Sequence, residues 1–100
     1  MNKDFSTDFN SARSLQSRRN TVAERQRMAG VALADWLRLN AKGSASLEQS
    51  ASIQHYITVE IERIDRCTQE LLQLDEEIES KTAGMSEEMK NLVIYQGAIY

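Results

Sequence analysis

The chain contains no proline, one cysteine, one histidine and four glycines, and each scarcity closes off a class of protein. Without proline nothing forces a break in a helix, so a chain rich in Ala, Glu, Gln, Arg and Leu can run long helices without interruption. A lone Cys67 excludes an internal disulfide framework and suits a reducing compartment. His55 has no glutamate three or four residues before it, and Cys67 lies more than three helical turns away, so no metal site is expected. No phosphate-cradling glycine loop and no nucleophile elbow is present. Cys67 has no histidine beside it to act as a base and reads as a small core residue. These absences predict a protein that is not an enzyme and needs no cofactor.

Long apolar runs are missing too. None reaches the ~20 residues that a membrane-spanning helix requires. The opening "MNKDFSTDFNSARS" lacks the apolar core of a signal peptide. The expectation is a cytoplasmic chain that does not enter a membrane.

What the sequence does have is charge, unevenly placed. Residues 1–42 hold eight basic side chains against four acidic ones, and residues 43–100 hold four against eleven. "RRNTVAERQR", residues 18–27, carries four of those arginines. Such a split marks either a basic arm with an acidic tail or two helices of opposite charge lying together.

Periodicity favours the second arrangement. Leu15, Val22, Ala29 and Trp36 recur every seven residues, joined by Ala32, Leu33 and Leu39, which is helical spacing. Arg18 and Arg25 are expected at inner positions of this stripe, and the small residues around Gly30 are expected to admit a close backbone. Ile57, Ile64, Leu71 and Ile78, interleaved with Ile53, Glu60, Cys67 and Leu74, draw the seam of a coiled coil interrupted only at Glu60. Ser6, Thr7 and Asp8 offer caps for the first helix, Gly43 closes it, and Ser46 with Gln49 resembles a capping box for the second. The expected elements are a disordered stretch 1–7, a helix 8–40, a loop 41–45, a helix 46–81 and a C-terminal element 86–99.

The short connection makes the two helices antiparallel neighbours. Folding about residue 44 sets Trp36 opposite Ile53, Arg27 beside Glu60 and Glu62, Arg18 and Arg19 beside Glu70, and Arg13 beside Asp75 and Glu76. The C-terminal element starts at a plausible cap, Ser86, and Met85, Met89, Leu92, Val93, Gln96 and Ile99 share one helical face. Its β-branched and aromatic content leaves a terminal strand open as well. The fold class is all-α: a long antiparallel, coiled-coil-like hairpin with a short C-terminal helix, extended to a bundle where copies associate.

Three functional readings follow. The first is a helical protein–protein interaction module, such as an adaptor, chaperone or assembly subunit. It acts through apolar side chains outside the seam: Tyr56, Ile61, Leu72, Leu92, Val93, Tyr95 and Ile99. Its partner is a protein, a second copy included. The second is an inhibitor whose acidic face, Glu60, Glu62, Asp65, Glu70, Asp75, Glu76, Glu77 and Glu79, occupies a basic site in place of a nucleic acid. The third is a weak nucleic-acid binder using Arg13, Arg18, Arg19, Arg25 and Arg27. Such binding needs unpaired positive charge on an exposed face. Nucleic acid is not the expected partner, because the hairpin register pairs these arginines with acids and no aromatics interleave them for bases to stack on.

Overall fold

The computed structural model describes residues 6–43 and 46–99, with the side chain of Ile99 outside the described set. Three helices follow in order: α1, Ser6–Lys42; α2, Leu47–Thr82; and α3, Glu87–Ile99. The first two form the hairpin, and α3 packs on α1. The C-terminal segment is therefore a helix and not a strand.

Local chemistry explains the ends. At the start of α2 the Ser46 N–H donates to Gln49 Oε1 at 3.1 Å, and the Gln49 N–H donates back to Ser46 Oγ at 3.2 Å. This reciprocal box satisfies amides that the first helical turn leaves without partners. Gly43 follows α1 with a φ of 66°, a left-handed conformation that costs glycine nothing and so ends the helix cleanly. Ser86 caps α3, its Oγ accepting the Met89 N–H at 3.2 Å, with Glu87 and Glu88 in the first turn facing the positive end of the dipole. The first helix begins before residue 8. Residues 6 and 7 are already helical, and Asp8 favours that first turn, so the expected disorder to residue 7 is corrected there. Residues 1–5 lie outside the described residues.

The chain divides into two compact units. In the first, formed by residues 6–23 and 70–99, Ala12, Val22, Leu74, Met85 and Val93 are buried. In the second, residues 24–69, the buried apolar side chains are Ala29, Ile57 and Cys67. Within α2 the two seven-residue repeats behave as the sequence predicts. Ile53, Ile57, Glu60, Ile64, Cys67, Leu71, Leu74 and Ile78 are all buried or half-buried, while Ile61 and Leu72 between them are exposed.

On α1 the inner stripe is broader than the expected one and differs from it in its polar members. Leu15, Val22, Ala29, Ala32, Leu33 and Trp36 are covered as expected and are joined by Ala12, Gln16, Arg19 and Gln26, while Arg18, Arg25 and Leu39 are exposed. The physical reason is the length of the polar side chains. Arg19 and Gln26 lie along the seam and place only their ends at its margin, reaching Asp75 and Thr68 of α2. Gly30 does not admit a neighbouring backbone, since a Cβ built on it meets nothing within 4 Å.

Candidate contact surfaces and their charges

Three of the four arginines in residues 18–27 hold carboxylates. Arg18 donates to Glu70 at 3.1 Å and Arg19 to Asp75 at 2.5 Å, both across the hairpin. Arg27 does not reach Glu60 or Glu62. It pairs with Glu24 one turn earlier on its own helix, at 2.6 Å, where the lower entropic cost of a local pair prevails over a contact across the hairpin. Hydrogen bonding to Arg27 holds the Glu24 carboxyl below its usual value and raises Arg27 above its own. Both groups are fully solvated, so screening leaves the pair little weight in stability. Arg13, expected beside Asp75 and Glu76, donates to Gln96 Oε1 of α3 at 3.4 Å. Arg25 is exposed.

The acidic face loses a member. Glu60 is 7% exposed, in the seam where its seven-residue spacing with Ile53, Cys67 and Leu74 places it and off the acidic face that the inhibitor reading requires. One of its oxygens accepts from Arg63 at 3.3 Å, while Oε2 is buried without a hydrogen-bond partner. Glu70 and Asp75 are engaged by Arg18 and Arg19. Glu62, Asp65, Glu76, Glu77 and Glu79 remain exposed.

The apolar candidates separate into covered and open ones. Tyr56, expected to lack cover from α1, stacks on Trp36 with centroids 4.7 Å apart and planes 12° from parallel. That contact lies most of a turn further along α2 than the expected partner, Ile53. Tyr56 still exposes its other side, and together with Trp36, Leu39 and Ile53 it lines an open cleft of about 710 Å³. Ile61 and Leu72 are exposed on α2, each set among acids.

The third helix holds the sharpest division. Val93, expected to bind a partner, is 1% exposed and belongs to the core. Met85, Met89, Val93 and Gln96 of the expected face are buried or half-buried and Gly97 joins them, while Leu92, expected on the same face, is exposed. The reason is Gly97. A Cβ there would stand 2.6 Å from both Cβ and Cγ of Gln16 and 3.3 Å from the Arg13 carbonyl oxygen. Only a residue without a side chain lets α3 approach α1 so closely, and that approach selects which face turns in. Leu92, Ile94 and Tyr95 are left outside, Ile94 at 55% and Tyr95 at 66% exposure. Ile94, which escaped the sequence reading, lies about 100° around the helix from Val93 and is exposed. Ile99 ends α3, and its side chain lies outside the described residues.

Among the described residues no group of acidic, histidine and cysteine side chains gathers to hold a metal, and no helix is long and apolar enough to cross a membrane. No protein-family model, curated protein or solved structure matches the chain.

Proposed function

We propose that this chain is a protein–protein interaction module, an adaptor, chaperone or assembly subunit, and that the outward side of α3 is its principal contact surface. One observation supports the reading above others. The segment from Leu92 to Tyr95 is apolar around the whole circumference of the helix, yet only the side carrying Val93 is covered. A helix that is apolar all round is ordinarily buried all round. Leu92, Ile94 and Tyr95 form a cluster of the kind that marks a contact site, whereas single exposed apolar residues are commonplace. Ile61, Leu72 and the open side of Tyr56 are secondary contacts in this proposal, and a lone buried Cys67 fits a reducing, cytoplasmic setting.

The other two readings have less support. A nucleic-acid stripe needs free arginines, and Arg18, Arg19 and Arg27 each hold a carboxylate. A nucleic-acid mimic needs a continuous acidic face, from which Glu60 is withdrawn.

A benzophenone amino acid placed at Tyr95, compared with one at Arg66 on α2, tests the proposal in cells that express the chain. Illumination is expected to give a covalent protein adduct from position 95 and little from position 66. Equal yields at the two positions, or none, would remove the basis for assigning contact to α3.

A further inference from the structure

By apolar pattern alone, α2 suits a second α2 better than it suits α1. Ile57, Ile64, Leu71 and Ile78 make one row of its seam, and the other row departs from apolar character only at Glu60. Such rows, rich in β-branched residues, are those of two-stranded coiled coils. The covered stripe of α1 is poorer, since it includes Gln16, Arg19 and Gln26. Some feature of the chain must set α1, and not another α2, against this seam.

Three acidic residues meet that need. Glu60 is 7% exposed, with Oε2 buried and without a hydrogen-bond partner. The stretch of α1 opposite it runs between Gln26, which reaches Thr68 at 2.7 Å, and Trp36, which stacks on Tyr56. Ala29, Gly30, Ala32 and Leu33 are the covered residues of that stretch, so in the hairpin the carboxylate faces no second charge. Between two parallel α2 helices in register it would face Glu60 of the other copy, inside the seam. In antiparallel helices at full overlap it would lie against the turn that bears Glu70. Glu70 and Asp75 repeat the pattern at the margin. Five residues apart on the flanks of the seam, they would face each other across a parallel pair. In the hairpin Arg18 and Arg19 hold them instead. Charge over the whole helices acts in the same direction: α2 carries nine acidic side chains against three basic, and α1 seven basic against three acidic.

We infer that Glu60, Glu70 and Asp75 reserve the seam of α2 for α1 of the same chain, by opposing the self-pairing that its apolar rows favour. A lone polar residue in a coiled-coil seam fixes partner and register at a cost in stability. Like charges set against each other oppose association. Glu60 weakens the hairpin, but it weakens the competing pair more, because that pair would bury two such carboxylates together.

Cys67 reports the difference. It is the only cysteine, is buried, and follows Glu60 by seven residues in the same row. In a parallel α2 pair it meets its counterpart, and diamide then takes up the two thiol hydrogens and leaves a disulfide between the copies. The full chain is treated with diamide under native conditions, and the rate at which disulfide-linked dimer forms is followed on non-reducing gels. Glu60→Leu is expected to raise that rate by ~tenfold or more over the parent. Glu62→Leu, which removes the same charge from an exposed position, should leave it unchanged. Adding Glu70→Lys to Glu60→Leu should raise it again, because the new ammonium faces Asp75 of the other copy and no longer pairs with Arg18. A residue that merely weakens the hairpin predicts the reverse, since Glu60→Leu would then close the seam more tightly around Cys67 and slow the crosslink. A rate unchanged or lowered in Glu60→Leu would overturn the inference. Equal acceleration in Glu62→Leu would overturn its assignment to the seam, and a fall on adding Glu70→Lys would remove Glu70 and Asp75 from it.

Discussion

Two glycines show how one residue type does opposite things at two places. Gly97 sits where α3 meets Gln16, and an added methyl there has no room to relax, since the obstructing atoms are Cβ and Cγ and not a mobile side-chain end. Gly97→Ala gains helix propensity but overpacks the contact, and the second effect dominates at ~1–3 kcal/mol of destabilisation. Gly30, in the interior of α1 with open space around its missing Cβ, has only the propensity effect. Gly30→Ala should stabilise by ~0.5–1 kcal/mol. Thermal unfolding of the two variants is expected to shift in opposite directions, and a shared sign would refute this account of α3 docking. Glu60 is the other informative residue. Its buried carboxylate has one hydrogen-bonded oxygen and one without a partner, in a seam otherwise apolar along that row. Replacing a buried ion by a well-packed apolar side chain is often stabilising. Glu60→Leu should therefore raise the unfolding midpoint, by about 1 kcal/mol or more in stability, since Arg63 is half-exposed and keeps its water. A lower midpoint would mean that the carboxylate makes contacts not accounted for here.

The helices owe their positions to the seam more than to propensity, because a helix of this length is held by burial of one face. Leu74 and Leu72 are two residues apart on α2 and share a side chain, but Leu74 is buried and Leu72 exposed. Leu74→Ala should cost ~2–4 kcal/mol through lost burial and a residual cavity, and Leu72→Ala should stay within about 0.5 kcal/mol. Denaturant unfolding monitored by circular dichroism separates them. Comparable effects would displace the register of the hairpin by at least one residue. Cross-helix polar pairs contribute less to that register than the seam does. Arg18 with Glu70, Gln26 with Thr68 and Asn40 with Gln54 all lie at exposed positions, where such pairs add orientation and little free energy.

For the molecule as a whole, charge decides which partners are excluded. The net charge is −3, and the basic side chains of α1 that would contact phosphates are largely engaged by acids within the chain. Duplex DNA at physiological salt should bind no better than non-specifically, with Kd ~10⁻⁴ M or weaker. Fluorescence anisotropy against a labelled duplex measures this. A submicromolar complex that weakens when Arg18 and Arg19 become alanine would reinstate the arginine run as a binding stripe.

The sequence by itself determined where α1 ends, where α2 and α3 begin and which side of α2 is covered, each to within a residue or two. Those features depend on interactions within a turn or two. The Ser46–Gln49 box, the left-handed Gly43 and the Ser86 cap act locally, and a seven-residue repeat records a buried stripe whatever covers it. Periodicity already placed Met85, Met89, Val93 and Gln96 on one face of the C-terminal element, and only the tertiary structure decided that Leu92 stays outside it while Gly97 joins it. A steric fact at Gly97 and Gln16, eighty-one positions apart in the chain, settled it by admitting the Val93 side and leaving Leu92 and Tyr95 outside. The arginine partners were undecided for a related reason. A guanidinium on a long stem can reach carboxylates on its own helix and on the facing one, and spacing alone does not rank them. Arg27 turned to Glu24, Arg13 to Gln96, and Arg18 and Arg19 to the opposite helix, according to which acceptor the packed backbone brought within reach.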